Sequence, residues 1–554
     1  GYNVAVGYDA GVAMTTGVEN IIVGGLAGDA LTTGSYNVAM GSLALSTEDT
    51  GSRNTAIGNR ALNSLNYDGN GYNTAVGFDA GLSMTTGIEN TIIGGNAGDA
   101  LTTGQRNTAI GTYALGADTT GQYSVAIGRG ALAAQNFTGG EVSYNVAVGY
   151  DAGNDITTGT MNTLVGALTG DALTTGSRNT AMGIGALGTE DTGSRNTAFG
   201  YGSLGTLNYD GNGYNTALGY ETGTAMTTGI NNTLIGGQAG DAITTGSANV
   251  AVGYLALSTE DAHGRNVAIG HKALEDQNAG ADVYNVAVGY NAGANVTTGS
   301  QNIIVGGLAG DALTEGEYNV LIGHAAGSAL TTGDRNVAIG RDALKTEDTH
   351  GWNVAVGYSA LATLNAGAEA YNVAVGYNAG VTMTTGIYNT LIGAQSGDSL
   401  TTGSGNVGVG LNTLASEDAH GKNTAIGTDV LQTLNAGADG YNTAVGYQAG
   451  KLMTTGASNT IVGGLAGDAL TTGSDNVAIG SNALSAEDTG GRNTAIGRGT
   501  LQNQNVDSNA YNVAIGYEAG NDITTGVQNT IVGGLAGDAL TTGANNVTIG
   551  YGAM

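Results

Sequence analysis

Short apolar runs, each ended by a glycine, recur along the whole chain. Val4-Ala5-Val6 and Ile21-Ile22-Val23 are the first two of these runs. The runs are strand-length, rich in β-branched residues and bounded by glycine, as β-strands are. Glycine every few residues would cost about 1 kcal/mol each in a helix interior, and the apolar positions do not recur with a helical period. The pattern therefore predicts a series of very short strands and no helix.

An asparagine precedes almost every run and marks a repeat. The mark occurs 32 times, with Ser124 taking its place once. Its spacing is 17 residues, extended to 19 and once to 21 at the end of each group of four, which gives a super-period of 70. The group that starts at Asn285 has five repeats and spans 87 residues. A fixed period with glycine punctuation is typical of a solenoid.

Strands this short must pair with the same run in the next coil, a coil being one turn of the solenoid. We therefore expect an all-β, parallel β-solenoid of about 32 coils, with residues 1–554 as a single continuous domain. At about 4.8 Å per coil this would be a rod on the order of 150 Å. The groups predict super-repeats at residues 3–72, 73–144, 145–214, 215–284, 285–371, 372–441, 442–511 and, in part, 512–554.

Both faces of each run are apolar, although a lone solenoid needs only its inner face apolar. Successive strand residues point to opposite faces. We therefore expect the flanking Val4 and Val6 to fill the coil, and the middle alanine to meet neighbouring subunits at an oligomer axis. On this view Ala251→Asp should block assembly, whereas the same change at Tyr254 should do little. The predicted axis residues are Ala5, Ala39, Ala56, Ala75, Ala109 and Ala251.

Composition and charge narrow the function classes. The chain has 101 glycines, no proline and no cysteine, so disulfides do not stabilise it. The formal net charge of −30 argues against binding to nucleic acid phosphates or to an anionic membrane through a basic patch. The sequence contains no run of 18 apolar residues, so no membrane span is predicted in it. Because the sequence begins in mid-phrase at Gly1, we expect a processed or partial chain.

The phrases "NVAVG", "NTAIG" and "SVAIG", each followed after two residues by alanine, resemble the head repeats of trimeric autotransporter adhesins of the YadA type. They are equally similar to shaft repeats of some phage tail fibres. The resemblance covers the whole chain, but the adhesin repeat is shorter than 17 residues. It implies a left-handed parallel β-roll, a side-by-side homotrimer and a role in attachment at a cell surface or on a virion tail.

Histidines and acidic residues are the candidates for metal chemistry. Three of the five histidines, His263, His350 and His420, occupy equivalent places about 20 Å apart or more, too far to share one ion, and we interpret them as surface turn residues. His271 and His324 complete the set. The phrase "GGLAGDALT" echoes a calcium-binding nonapeptide without its spacing. It leaves weak calcium candidates at Asp29, Asp99, Asp171, Asp241, Asp311, Asp398, Asp468 and Asp538.

Aromatic, threonine and acidic turn residues complete the candidate surfaces. Two aromatic series are expected to pack under the lengthened coils, with glycan binding as the alternative. The paired threonines, such as Thr15 and Thr16, suggest ice binding, which needs flat rows of threonine. Such a row would be broken wherever "EDTG" replaces "TTG". We interpret the proximity of the acids Glu48 and Asp49 to Arg53 as ion pairing in a solvated turn. One aromatic series is Tyr2, Tyr72, Tyr144, Tyr214, Tyr284, Tyr371, Tyr441 and Tyr511, and the other is Tyr8, Phe78, Tyr150, Tyr220, Tyr290, Tyr377, Tyr447 and Tyr517.

The sequence predicts a structural protein and no enzyme, cofactor or catalytic residue. Hexapeptide acyltransferases share a solenoid but interrupt it with a loop that carries a histidine, which this chain does not do. We expect an extracellular fibre with an attachment role, associating with itself and possessing no membrane insertion in this segment. The alternative is a module that binds glycan, calcium or ice on one repeated face.

Overall fold

A computed structural model describes all 554 residues, and it contains strands and turns but no helix. The chain divides into two compact units, residues 1–282 and 283–554. Each unit is a parallel β-solenoid of 16 coils with one three-residue strand per coil. The predicted all-β solenoid of 32 coils and the prediction of no helix are confirmed.

The first unit contains strands β1 to β16. They are β1 Val4–Val6, β2 Ile21–Val23, β3 Val38–Met40, β4 Thr55–Ile57, β5 Thr74–Val76, β6 Thr91–Ile93, β7 Thr108–Ile110, β8 Val125–Ile127, β9 Val146–Val148, β10 Thr163–Val165, β11 Thr180–Met182, β12 Thr197–Phe199, β13 Thr216–Leu218, β14 Thr233–Ile235, β15 Val250–Val252 and β16 Val267–Ile269.

The second unit contains strands β17 to β32. They are β17 Val286–Val288, β18 Ile303–Val305, β19 Val320–Ile322, β20 Val337–Ile339, β21 Val354–Val356, β22 Val373–Val375, β23 Thr390–Ile392, β24 Val407–Val409, β25 Thr424–Ile426, β26 Thr443–Val445, β27 Thr460–Val462, β28 Val477–Ile479, β29 Thr494–Ile496, β30 Val513–Ile515, β31 Thr530–Val532 and β32 Val547–Ile549.

Within each unit every strand pairs in parallel with the strand of the next coil, in register. In the β15–β16 pair, for example, Ala251 lies beside Ala268. The glycine that ends each strand is required by both conformation and space. Gly24 has φ 139°, and a Cβ added there would lie 2.4 Å from the carbonyl oxygen of Gly41 in the next coil. Glycine therefore allows consecutive coils to stack closely.

The middle residue of each strand points into the coil, so our prediction for the two strand faces is wrong. The middle residues Ala39, Ala56, Ala75, Ala109 and Ala251 are fully buried within the single chain. Ala5 is exposed because its coil has a neighbour on one side only.

The residues on either side of the middle one, Val250 and Val252 in β15, are half-buried on the outside. The narrow interior of the coil accepts the small side chain, and the larger aliphatic side chains lie on the outer face. Ala251→Asp would therefore place a charge in the core of the coil and test folding, not assembly.

Stacked asparagines form a ladder along each unit. The fully buried Asn232 donates from Nδ2 to the carbonyl of Gly246 at 2.9 Å. Its Oδ1 accepts from the backbone N–H of Asn249 at 2.9 Å, and Asn249 is the asparagine of the next coil. An asparagine that makes both bonds satisfies one carbonyl of its own coil and one N–H of the next coil, which explains why this residue marks almost every repeat.

Candidate functional site

A row of core positions carries an aliphatic side chain in most coils and a carboxylate in one coil of each group. The position lies eleven residues after the asparagine, and Leu31 and Met84 fill it in two coils. In seven coils it holds an acid, and the coil that follows each of these is a lengthened one. The seven residues, here called the core carboxylates, are Glu48, Asp118, Glu190, Glu260, Glu347, Glu417 and Glu487, and all are fully buried.

Each core carboxylate bonds to backbone N–H groups of its own turn, and most also bond to the lengthened coil. Glu190 accepts from Gly193 N at 2.7 Å and from Tyr209 N at 3.3 Å. Glu48 does the same with Gly51 and Tyr67 at 2.6 and 3.1 Å. The expectation of a solvated turn acid at Glu48 is therefore wrong. Buried carboxylates are stable where they accept such bonds, and these join a lengthened coil to the coil before it.

Burial raises the pKa of these carboxyl groups, because removal from water disfavours the charged form. The pKa of Glu190 rises to about 7, although the bonds from Gly193 and Tyr209 act in the opposite direction. The pKa values of Glu48, Glu347 and Glu487 are also raised by burial. This row therefore titrates at a higher pH than ordinary glutamates.

Three of the core carboxylates have a histidine three residues later, where the other four have glycine. The resulting groups, here called the His263, His350 and His420 sites, are Glu260–Asp261–His263, Glu347–Asp348–His350 and Glu417–Asp418–His420. In each site the potential ligand atoms lie within 4.8 Å of one another.

These histidines are only partly on the surface. Their side chains are 26–30% exposed, and the backbone N–H of each donates to the core carboxylate. The positions of the histidines alone do not indicate this grouping, because its other members are acids of the same turn. The spacing Glu-Asp-x-His within a single turn is the signal that identifies it.

The weak calcium candidates occur once per group and do not come together. Those at Asp29, Asp241, Asp311, Asp398 and Asp468 each have a buried Oδ1 with no hydrogen-bond partner. The eight aspartates lie apart along the chain, and none belongs to a group of three or more side-chain ligands. The structure thus gives each aspartate the same half-buried turn position without assembling a calcium cage.

The residues of the aromatic series are exposed, and some of them stack with the aromatic residue at the same position of an adjacent coil. Tyr201 and Tyr220 stack with ring centroids 5.5 Å apart, and Tyr358 and Tyr377 do so at 5.4 Å. Arg53 lies between Tyr36 and Tyr72 with its Cζ 5.3 and 5.6 Å from the ring centroids. The rings remain about half exposed. Neighbouring rings and cations contact the faces of these rings, and packing under the lengthened coils stays a prediction.

The first threonine of many "TTG" phrases bonds to the next coil. The hydroxyl of Thr32 donates to the carbonyl of Asp49 at 3.0 Å, and that of Thr102 donates to the carbonyl of Thr119 at 2.9 Å. These hydroxyls act as coil-to-coil bonds. A hollow of about 490 Å³ on the same side is lined by Asp49, Asn66, Tyr67, Asp68 and Thr86.

The outer face of the strands carries the same kinds of residue in every coil of each unit. The first residue of every strand is valine, isoleucine or threonine, and the third is valine, isoleucine, methionine, leucine or phenylalanine. No charged residue occurs at either position, although the chain carries a net charge of −30. Some of these side chains are well exposed, such as Leu218 at 48% and Met40 at 40%. We call this surface the outer strand face.

Compared with models of protein families and with curated proteins, the chain matches none of them. No helix of the structure has the length and apolar character needed to cross a membrane.

Proposed function

We propose that the protein is a non-enzymatic structural fibre with an attachment role, such as an adhesin head or shaft, a tail-fibre shaft or a surface filament. The proposed location is outside the cell, at its surface or on a virion tail. The outer strand face is the observation that carries this proposal. An uncharged, mostly apolar strip on a strongly acidic protein is a surface for association, since large exposed apolar patches mark interaction sites.

The proposed partner is the chain itself, as a side-by-side homotrimer. Identical copies present the same spacing of aliphatic residues, so that each coil of one copy can meet a coil of the next. Coverage of the strip would stabilise the assembly by about 25 cal/mol for each Å² of apolar surface buried. The acidic residues lie elsewhere and would keep separate fibres apart.

Light scattering on the full chain tests the proposed assembly. The expected mass is three times the 54.5 kDa of one chain. A folded particle of 54.5 kDa would contradict the proposal. Electron micrographs should show elongated particles, and globular ones would argue equally against a fibre.

A substitution on the outer strand face tests which surface is used. Ile339 is the half-buried third residue of β20, and Ile339→Asp would place a carboxylate in each chain at the proposed contact. The expected result is a smaller particle whose circular dichroism still shows folded strands. Thr332→Asp is the matched control, because Thr332 is exposed in the preceding coil and lies off the strand. An unchanged trimer in Ile339→Asp would exclude this face as the contact.

A ligand-binding module is the second candidate, and one observation favours it for glycans. Trp352, Tyr371 and Tyr388 form a continuous stack on three successive coils, with centroid distances of 5.7 Å in both pairs. The three side chains are 43–59% exposed. Quenching of the fluorescence of Trp352, the only tryptophan, by an oligosaccharide series would support this candidate. Unchanged fluorescence at millimolar oligosaccharide concentrations would exclude glycan binding on this stack.

A further inference from the structure

We propose that the His263 and His420 sites each bind a divalent transition-metal ion of the zinc type. This inference is independent of the proposed fibre function. Each site combines one imidazole with two carboxylates from a single turn, and this mixed nitrogen and oxygen set suits zinc better than magnesium or calcium.

The spacing of the ligands fits a single ion. His263 Nδ1 lies 3.8 Å from Glu260 Oε1, and His420 Nδ1 lies the same distance from Glu417 Oε1. Zinc binds nitrogen and oxygen ligands at about 2.0–2.2 Å, so one ion between the two atoms can reach both. The gap is too wide for a direct hydrogen bond. The aspartate at the outer side of each turn supplies the third ligand atom.

Unsatisfied buried atoms give an independent indication of a missing ligand. The Nδ1 atoms of His263 and His420 and the Oε2 atom of Glu260 are buried and have no hydrogen-bond partner. Glu260 itself is fully buried. Buried polar atoms of folded proteins are almost always paired with protein, water or an ion. The histidine side chains are 29 and 30% exposed, so an ion can enter from the surface.

The His350 site differs from the other two because its imidazole has a hydrogen-bond partner within the protein. At the His350 site the residue before the histidine is Thr349, whose hydroxyl lies 3.0 Å from His350 Nδ1. Asp348 is also occupied, because it accepts from the backbone N–H of Thr349 at 2.6 Å. At the other two sites the equivalent residues are Ala262 and Ala419. The proposal therefore predicts two ions per chain and not three.

The histidine turns differ from the glycine turns at several positions together. Each of the three histidines is followed by glycine. A Cβ at Gly264 would overlap the carbonyl oxygen of Ser247, so no larger residue fits there. The N–H of Gly264 donates to Asp282 of the lengthened coil at 3.0 Å, and Gly421 donates to Asp439 at 3.2 Å. The histidine is thus part of a distinct turn geometry that adds acidic groups nearby.

Calorimetric titration of the full chain with Zn²⁺ tests the proposal, with Mg²⁺ in a parallel arm. We expect two equivalents of Zn²⁺ to bind and Mg²⁺ to bind at least tenfold more weakly. The double variant Ala262→Thr with Ala419→Thr should abolish binding, because each new hydroxyl would satisfy Nδ1 as Thr349 does, while all ligands remain. The double variant His263→Gln with His420→Gln should also abolish it, and His324→Gln, a change of an exposed histidine elsewhere, should leave two equivalents.

Several results would overturn the assignment. Absence of Zn²⁺ binding by the native chain would mean that water fills these sites. Binding that survives the double His→Gln change would place the ion elsewhere, and equal affinity for Mg²⁺ would exclude a transition-metal site. Unchanged binding in the double Ala→Thr variant would contradict the role assigned to the free imidazole nitrogen.

Discussion

A single residue type, a carboxylate in a row of leucines, distinguishes one coil in each group. The aliphatic residue at this position in other coils contributes apolar burial, whereas Glu190 contributes acceptors for two buried N–H groups. Replacing an aliphatic residue by glutamate in the core requires a carboxylate to be removed from water. This desolvation is the main cause of the raised pKa of Glu190. The side chain is therefore retained for the bonds that it makes and not for its charge.

The first prediction concerns the pH dependence of stability. Because the folded pKa of Glu190 is about 7 and its ordinary value is 4.5, the folded state binds the proton more tightly than the unfolded state. The stability from this group is fully present below the ordinary value and is lost as the pH rises through about 7. The loss is about 3.5 kcal/mol at most, because one pKa unit corresponds to about 1.4 kcal/mol.

Thermal unfolding midpoints at about pH 5 and about pH 8 check this prediction. The native chain should melt at a higher temperature at the lower pH. Glu190→Gln removes the titrating group, so the difference between its melting temperatures at the two pH values should be smaller than that of the native chain. A native chain that is more stable at the higher pH would contradict the sign.

At the scale of the strand, regularity comes from backbone pairing and from the asparagine ladder. A three-residue strand has too few ladder bonds to be stable alone, so each coil depends on its neighbours. Asparagine is suited to the ladder because one side chain holds both a donor and an acceptor. Where Ser124 replaces it, the buried Gln135 donates from Nε2 to Ser124 Oγ at 2.7 Å and accepts from Asn145 Nδ2 at 2.9 Å.

The second prediction tests the ladder at Asn232. Asn232→Ala would leave the carbonyl of Gly246 and the N–H of Asn249 without partners inside the solenoid. Each unsatisfied buried group costs about 1–3 kcal/mol, so the melting temperature of the surrounding coils should fall clearly. Asn231→Ala is the control, since Asn231 is exposed and Ala248 occupies the same place in the next coil. Hydrogen exchange of the neighbouring amides would locate the loss, and equal protection in both variants would contradict it.

The sequence predicted the strands well and their faces badly, for one physical reason. Glycine-bounded β-branched runs at a fixed period leave one arrangement for the backbone, and the structure has it. In a run such as Val250 to Val252 both faces are apolar, so alternation alone cannot tell inside from outside. Volume decides, because the narrow interior holds alanine or one longer aliphatic residue. Glu48 was missed because "EDTG" has the composition of an ordinary exposed turn.

At the scale of the molecule, the groups of four coils are units of hydrogen bonding as well as of sequence. Each group contains one core carboxylate, and the coil after it carries the extra residues. Glu347, for example, accepts from the N–H of Ala366 in the lengthened coil at 3.2 Å. The carboxylate and the lengthened turn therefore recur together, because each supplies one side of these hydrogen bonds.

The third prediction compares two deletions that each remove one coil. Deletion of residues 353–371 joins Trp352 to Asn372 and removes the lengthened coil that bonds to Glu347. Deletion of residues 372–388 joins Tyr371 to Asn389 and leaves that pair intact. Both junctions restore the repeated phrase, so the first variant should unfold more easily by about 1–3 kcal/mol, the cost of a buried polar group without its partner. Denaturant melts of the two variants measure the difference, and equal midpoints would show that the pairing has no energetic role.

The in-register pairing of nearly identical strands raises the problem of slippage during folding. Every strand could pair with many others along the chain, since the same three-residue pattern recurs in each coil. A shift by one coil would bring a core carboxylate against a coil without the extra residues, and its buried oxygen would lose an N–H donor. Only a shift by a whole group restores these contacts. The core carboxylates thus disfavour pairing between strands that are shifted by less than a whole group, although the strand sequences themselves are nearly identical.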